Sequence, residues 1–170
     1  RLGDLIRRVN DVLFIFQGII DASLQNFSYL CQKSKFIMKL IPTGCSREEV
    51  YVRRAIIVET LSPLIGTSVP CGAFKGKSVE ILYNSVDETA TRASQRYEST
   101  LAAIRLVEAL RESSLVRIDI PKDKQKKKMY FVKIYELKAT LTNLGEVKII
   151  VGERNNKRMI HYCITKKVKE

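Results

Sequence analysis

The period of the hydrophobic positions changes along the chain, and the change divides it. From Leu5 to Phe27 they recur at spacings of three and four: Leu5, Val9, Val12, Phe16 and Ile19, widened by Leu13, Ile20, Leu24 and Phe27. This spacing predicts a helix over residues 4 to about 40, bent or split at Gly18. A stripe so apolar needs cover from the rest of the domain, from a second copy, or from the remainder of a longer parent chain. Pro42-Thr43-Gly44 ends the pattern. Ser46-Arg47-Glu48-Glu49 then has the Ser-x-x-Glu form of a capping box, which predicts a helix from Arg47 to Leu61. Pro63, Gly66, Pro70, Gly72 and Gly76 make 62–77 mostly loop with room for one short strand, and Lys77–Tyr83 reads as a strand. Ser85 and Glu88 repeat the capping spacing and start a helix to about Tyr97. Leu101, Ile104, Val107 and Leu110 mark another over 99–111, capped by Ser99 or Thr100.

Beyond this point the period drops to two. Leu115–Ile120 alternates, as do Leu137, Ala139 and Leu141, then Val147, Ile149 and Val151, and finally Ile160, Tyr162 and Ile164. Asn143-Leu144-Gly145 and Gly152–Asn156 supply residues that tolerate positive φ, so both junctions suit hairpins. Strands are expected at 115–120, 129–142, 146–151 and 159–166. The fold class is therefore α+β: N-terminal helices followed by an antiparallel four-stranded meander, with helix 99–111 covering one face. In domain terms, 1–45 is a helical extension and 46–170 the α+β domain. On the last strand, alternation puts Ile160, Tyr162 and Ile164 against the helix and His161, Cys163 and Thr165 on the open face.

Charge sharpens this picture. The 170 residues carry +12, and residues 115–170 hold fifteen Lys/Arg against six Asp/Glu, so +9 of it belongs to the sheet half. Cations that neutralise phosphates release counterions, which makes a polyanion the expected partner class. The run Lys122-Asp123-Lys124-Gln125-Lys126-Lys127-Lys128 is either a solvated loop or a phosphate clamp. The cysteines Cys31, Cys45, Cys71 and Cys163 have no metal-like spacing and read as free thiols in a reducing compartment. Val12–Ile20, the most apolar run, is too short to span a bilayer and is closed by Asp21. No signal peptide is visible, and an opening Arg1 suggests a piece of a longer protein.

The stretch GKSVEILYNSVDETATRASQRYESTLAAIRLVEALRESSLVRIDIP, with VKIYELKATLTNLGEVKIIVGERNNKRMIHYCIT after it, resembles the large polyvalent protein-associated domains of phage and conjugative-element proteins. Its layout is also similar to the superfamily of barnase, EndoU, colicin and RelE ribonucleases. The resemblance covers about residues 46–167. It implies a nucleic-acid-associated module, with RNA the expected ligand rather than DNA, in the cytoplasm of a bacterial cell. Either the module is a metal-independent endoribonuclease of toxin type, which an acidic inhibitor or immunity protein would mask, or it is a non-catalytic accessory domain that binds nucleic acid or protein.

A metal-independent ribonuclease needs a base for the 2′-hydroxyl proton, cations for the phosphorane charge and an acid for the leaving oxygen. His161 is the only histidine in the chain and the candidate base. Arg92 and Thr165 complete the candidate catalytic set, and Tyr162, Thr89 and Ser85 offer further hydroxyls. Arg96, Lys126, Lys127, Lys128, Arg154, Lys157 and Arg158 are the candidate phosphate contacts. Cys163, two residues from His161 on an alternating strand, would share its face. No Gly-rich phosphate loop, HExxH, GxSxG or zinc-type Cys/His cluster occurs, so no cofactor or metal is expected.

Overall fold

The computed structural model describes residues 41–121 and 131–166. The helix expected over 4–40 and the lysines Lys126, Lys127 and Lys128 lie outside them. The described residues form helices α1 (Arg47–Leu61), α2 (Tyr83–Ala93), α3 (Tyr97–Ile104) and α4 (Leu106–Arg111). They also form strands β1 (Ser68–Pro70), β2 (Ser78–Glu80), β3 (Ser114–Asp119), β4 (Lys133–Leu141), β5 (Gly145–Glu153) and β6 (Met159–Lys166). No helix among the described residues is long and apolar enough to cross a membrane.

The fold is α+β, but the sheet is larger and less regular than a four-stranded meander. It has six strands in the order β1-β2-β6-β5-β4-β3. β3 to β6 do run as an antiparallel meander, and β1–β2 adds a hairpin at the far side whose second strand runs parallel to β6 through Glu80 and Ile160. β2 lies within the strand expected over Lys77–Tyr83, and β1 is the short strand for which 62–77 left room. At three residues each they show too little alternation to reveal that they extend the sheet.

Local chemistry explains most element boundaries. At α1 the capping box forms: Ser46 Oγ accepts from the Glu49 amide at 3.2 Å, and a Glu49 carboxylate oxygen accepts from the Ser46 amide at 3.2 Å. Helix α2 starts at Tyr83, two residues before the expected Ser85, and the Ser85 hydroxyl accepts from the Leu82 amide at 3.3 Å. The helix expected over 99–111 is two helices. Arg105 leaves helical geometry at φ −105°, ψ 24°, and its guanidinium grips Glu108 and donates to the Thr142 carbonyl at 2.8 Å. That bend lets α4 follow the sheet toward β4 and β1 while α3 stays over β6. Asn143 and Gly145, at φ 61° and 83°, make the β4–β5 turn.

The core lies between the sheet and α2 to α4. Leu137, Ala139 and Leu141 from β4 and Val147, Ile149 and Val151 from β5 face Ala90, Ala93, Ala102, Ala103, Leu106 and Leu110. Small side chains on the helices let α2 and α3 settle close to β6. On the other side of these two helices lies α1, with Ile57 and Leu61 buried.

Strand β6 departs from simple alternation. Ile150 pairs with Cys163 but Val151 pairs with His161, so Tyr162 is an extra residue, a β-bulge. The bulge turns the strand's parity over. Ile164 faces the core beside Ile149, and His161 now does so too, beside Val151.

Candidate functional site

The expectation that His161 shares the open face with Thr165 and Cys163 is therefore corrected. The ring is fully buried under α2, and its Nε2 lies 3.0 Å from Thr89 Oγ1. Its Nδ1 has no hydrogen-bond partner among the described residues. Burial in an apolar layer disfavours the imidazolium and pushes its pKa down to about 3. A base so placed is neutral near pH 7 but has no path to a substrate hydroxyl. Thr89 and Ser85 are likewise fully buried, each bonded within the fold.

Thr165 reaches the side of the sheet away from α2. It pairs in register with Lys148, which in turn pairs with Lys138. Two lysines directly opposed across strands repel, and Lys148 finds relief in Glu136, 2.9 Å away, which also holds Arg117 at 3.0 Å. These partners keep the Glu136 carboxyl below its ordinary range.

Around the bulge a compact polar group forms between α2 and β6. Arg92 Nε donates to Glu88 at 2.6 Å, and the Tyr162 hydroxyl donates to the same carboxylate oxygen at 2.7 Å. The Arg92 guanidinium carbon lies 5.4 Å from the centre of the Tyr162 ring, and that ring and Phe131 make a T-shaped contact with centroids 6.0 Å apart. Glu88 raises the Arg92 pKa, while burial and the Glu88 bond raise that of Tyr162. Cys163 is buried behind this group, and burial pushes its thiol up to about 11, so it is protonated and a poor nucleophile. The bulge also separates Cys163 from His161, which removes the thiol–imidazole pairing that simple alternation implies.

The remaining cations gather at the β5–β6 turn. Arg158 makes a forked ion pair with Glu80, holding that carboxyl below its usual range. Lys157, at φ 64°, lies 3.2 Å from Glu153. The Glu153 carboxylate is buried and also accepts from the Tyr135 hydroxyl at 2.5 Å. Burial and that bond together push the Tyr135 phenol up to about 12, while Tyr135 and Lys157 keep Glu153 ionised. Arg154 and Arg96 make no ion pair among the described residues. Of the candidate cations described, Arg92, Lys157 and Arg158 thus each carry a carboxylate, whereas Arg154 acts on Glu80 only from beyond ion-pair distance and Arg96 makes no ion pair among the described residues.

Two features escaped the sequence reading. The Tyr135–Glu153–Lys157 triplet adds Tyr135, eighteen residues from Glu153 on the neighbouring strand, to the i, i+4 pair Glu153/Lys157, and no spacing reveals the tyrosine. Arg53 is the other: it is fully buried in α1, and helix periodicity offers no reason to bury an arginine. The local signals were the i, i+4 spacings of Glu88 with Arg92 and of Glu153 with Lys157. Among the described residues no group of three or more His, Cys, Asp or Glu could hold a metal ion. Comparison with protein-family models, curated proteins and solved structures gives no match for this chain.

Proposed function

We propose that the chain is a non-catalytic nucleic-acid-binding module of a mobile-element or toxin-like multidomain protein, of the polyvalent-domain type. Its ligand is RNA, and it acts in the bacterial cytoplasm. The observation that carries this reading is the cation excess. A net +12 remains after every carboxylate is counted, +9 of it in the sheet half, and among the described residues neither Arg96 nor Arg154 makes an ion pair of its own. Burial of His161 favours binding over cleavage, because no other side chain of the chain titrates near neutrality in its ordinary state. The choice of RNA rests on the ribonuclease-like layout of the sequence. An acidic protein would compete for the same cations.

Anisotropy of a labelled single-stranded RNA, titrated over a salt series, tests the proposal. Each phosphate neutralised on a single strand contributes about −0.7 to the slope of log K against log salt. Replacing Lys126, Lys127 and Lys128 together by Gln should flatten the slope by about 2, and Arg96→Gln with Arg154→Gln by about 1.4. Wild-type protein should leave mixed cellular RNA intact in EDTA. An affinity indifferent to salt would remove the binding module. Cleavage in EDTA that a folded His161→Gln variant lacks would restore the ribonuclease reading.

A further inference from the structure

The two edges of the sheet are built differently. β1 closes one edge with three residues ending in Pro70, which has no amide hydrogen and blunts further pairing. β3 closes the other with six residues, all of them exposed, and its outer backbone groups have no strand partner among the described residues. Leu115, Val116, Ile118 and Ile120 stand 44%, 49%, 50% and 71% exposed. An apolar, unblunted edge beside a blunted one is an open template for another strand.

The charges on β3 indicate which strand fits. Its regular part, Arg117-Ile118-Asp119, follows the irregularity between Leu115 and Arg117, and pairs residue by residue with Glu136, Tyr135 and Ile134. Arg117 and Asp119 point away from the helices, as Glu136 does, and are 60% and 50% exposed, 3.2 Å apart. Ile118, opposite Tyr135, points to the helix side. Consider a two-fold axis through Ile118, perpendicular to the sheet. Ile118 then meets its own copy, Arg117 faces Asp119 of the second chain, and Asp119 faces that chain's Arg117. Ile120 falls opposite Val116. The sequence is self-complementary about this axis, in charge and in apolar contact, as an isologous interface requires.

We propose that β3 is a homodimerisation edge: two copies join β3 to β3, antiparallel about Ile118, into one sheet with six strands from each chain. Because the β1 edge is blunted, the assembly stops at two and does not grow into a fibre. This pairing is independent of nucleic-acid binding and of the apolar stripe over residues 4–40.

The test is sedimentation equilibrium of the whole chain across its soluble concentration range, with charge reversals. Wild type should be a concentration-dependent dimer. Asp119→Arg sets Arg against Arg at two places and Arg117→Glu sets acid against acid, so each alone should weaken dimerisation by about tenfold or more. Mixed in equal amounts, the two variants should recover dimers, since every 117–119 contact is again opposite in sign. Circular dichroism and melting of each variant check that it folds; because Arg117 also holds Glu136, Asp119→Arg is the gentler change. A wild-type chain that stays monomeric throughout overturns the proposal and leaves the edge to a strand of another protein or of the parent chain. Dimers that survive both reversals, or folded variants that fail to rescue each other, overturn it as well.

Discussion

Between pH 7 and pH 4.5 the folded state should lose about 2–3 kcal/mol of stability through one residue, His161. Burial lowers its pKa from 6.5 to about 3. In this window the unfolded chain binds a proton at position 161 that the folded chain does not. Since unfolding then takes up a proton, stability rises with pH, is fully present above about pH 6.5 and declines as pH falls towards 3. At full effect the slope is about 1.4 kcal/mol per pH unit. What makes the expectation sharp is that His161 is the sole histidine of the chain. The carboxylates whose folded pKa is lowered, Glu49, Glu80, Glu136 and Glu153, take over only below about pH 5. Urea unfolding at half-unit pH steps measures the profile, and His161→Gln, which keeps a hydrogen-bonding group near Thr89, should be flat from pH 7 to 5. A wild-type profile that is already flat there would mean that the imidazole is solvated and free to act as a base.

Replacing Arg53 should cost more. Its Nε donates to the Ser94 carbonyl at 2.7 Å, and Nη1 donates to the carbonyls of Pro42 and Gly44 at 2.9 and 2.7 Å, while Nη2 is buried with no partner among the described residues. This buried guanidinium ties the segment before α1 to the junction of α2 and α3. Charge-assisted bonds contribute about 1.5–3 kcal/mol each, and a buried carbonyl left without its donor costs about 1–3 kcal/mol. Against that stands the cost of burying the cation, which the variant no longer bears. We expect Arg53→Ala to lose about 3 kcal/mol or more, and Arg53→Lys a good part of that, because an ammonium cannot span carbonyls on two sides. The urea midpoint should fall with the slope unchanged. A loss below about 0.5 kcal/mol in Arg53→Ala, the range of ordinary surface changes, would show that the clamp contributes nothing.

Both predictions turn on groups whose surroundings the sequence could not show. What it showed well was local: the Ser46/Glu49 capping box, the bounds of α1, and the paired alternations of β4 and β5 about Asn143 and Gly145 are all contained in stretches of a few residues. The period-2 reading of β6 found the strand and placed Ile164 and Thr165 correctly but misplaced His161 and Tyr162, because Tyr162 adds a residue that no partner matches, and nothing in Ile160-His161-Tyr162-Cys163 marks where a bulge falls. One inserted residue was enough to move the presumed base from the open face into the core. The break at Arg105 was hidden for a similar reason: Leu106 and Leu110 continue an apolar helix pattern straight through it, and the bend answers to the sheet below. Of the candidate site, the cations were legible, and so were the i, i+4 spacings of Glu88 to Arg92 and Glu153 to Lys157, but not the pairing of Arg158 with Glu80, which lies far away in sequence.

The parallel pairing of β2 with β6 also bears on how the chain reaches its fold. Glu80 must wait for Ile160, eighty residues later, whereas β4, β5 and β6 close on one another through short turns. Pairings between distant residues carry the larger loop-closure entropy and form late. The meander should therefore condense first, and the docking of α2, α3 and the β1–β2 hairpin on β6, each bridging some 67 to 80 residues, should follow. In folding kinetics, truncating Val79 should then chiefly speed unfolding, while truncating Ile149 should slow folding.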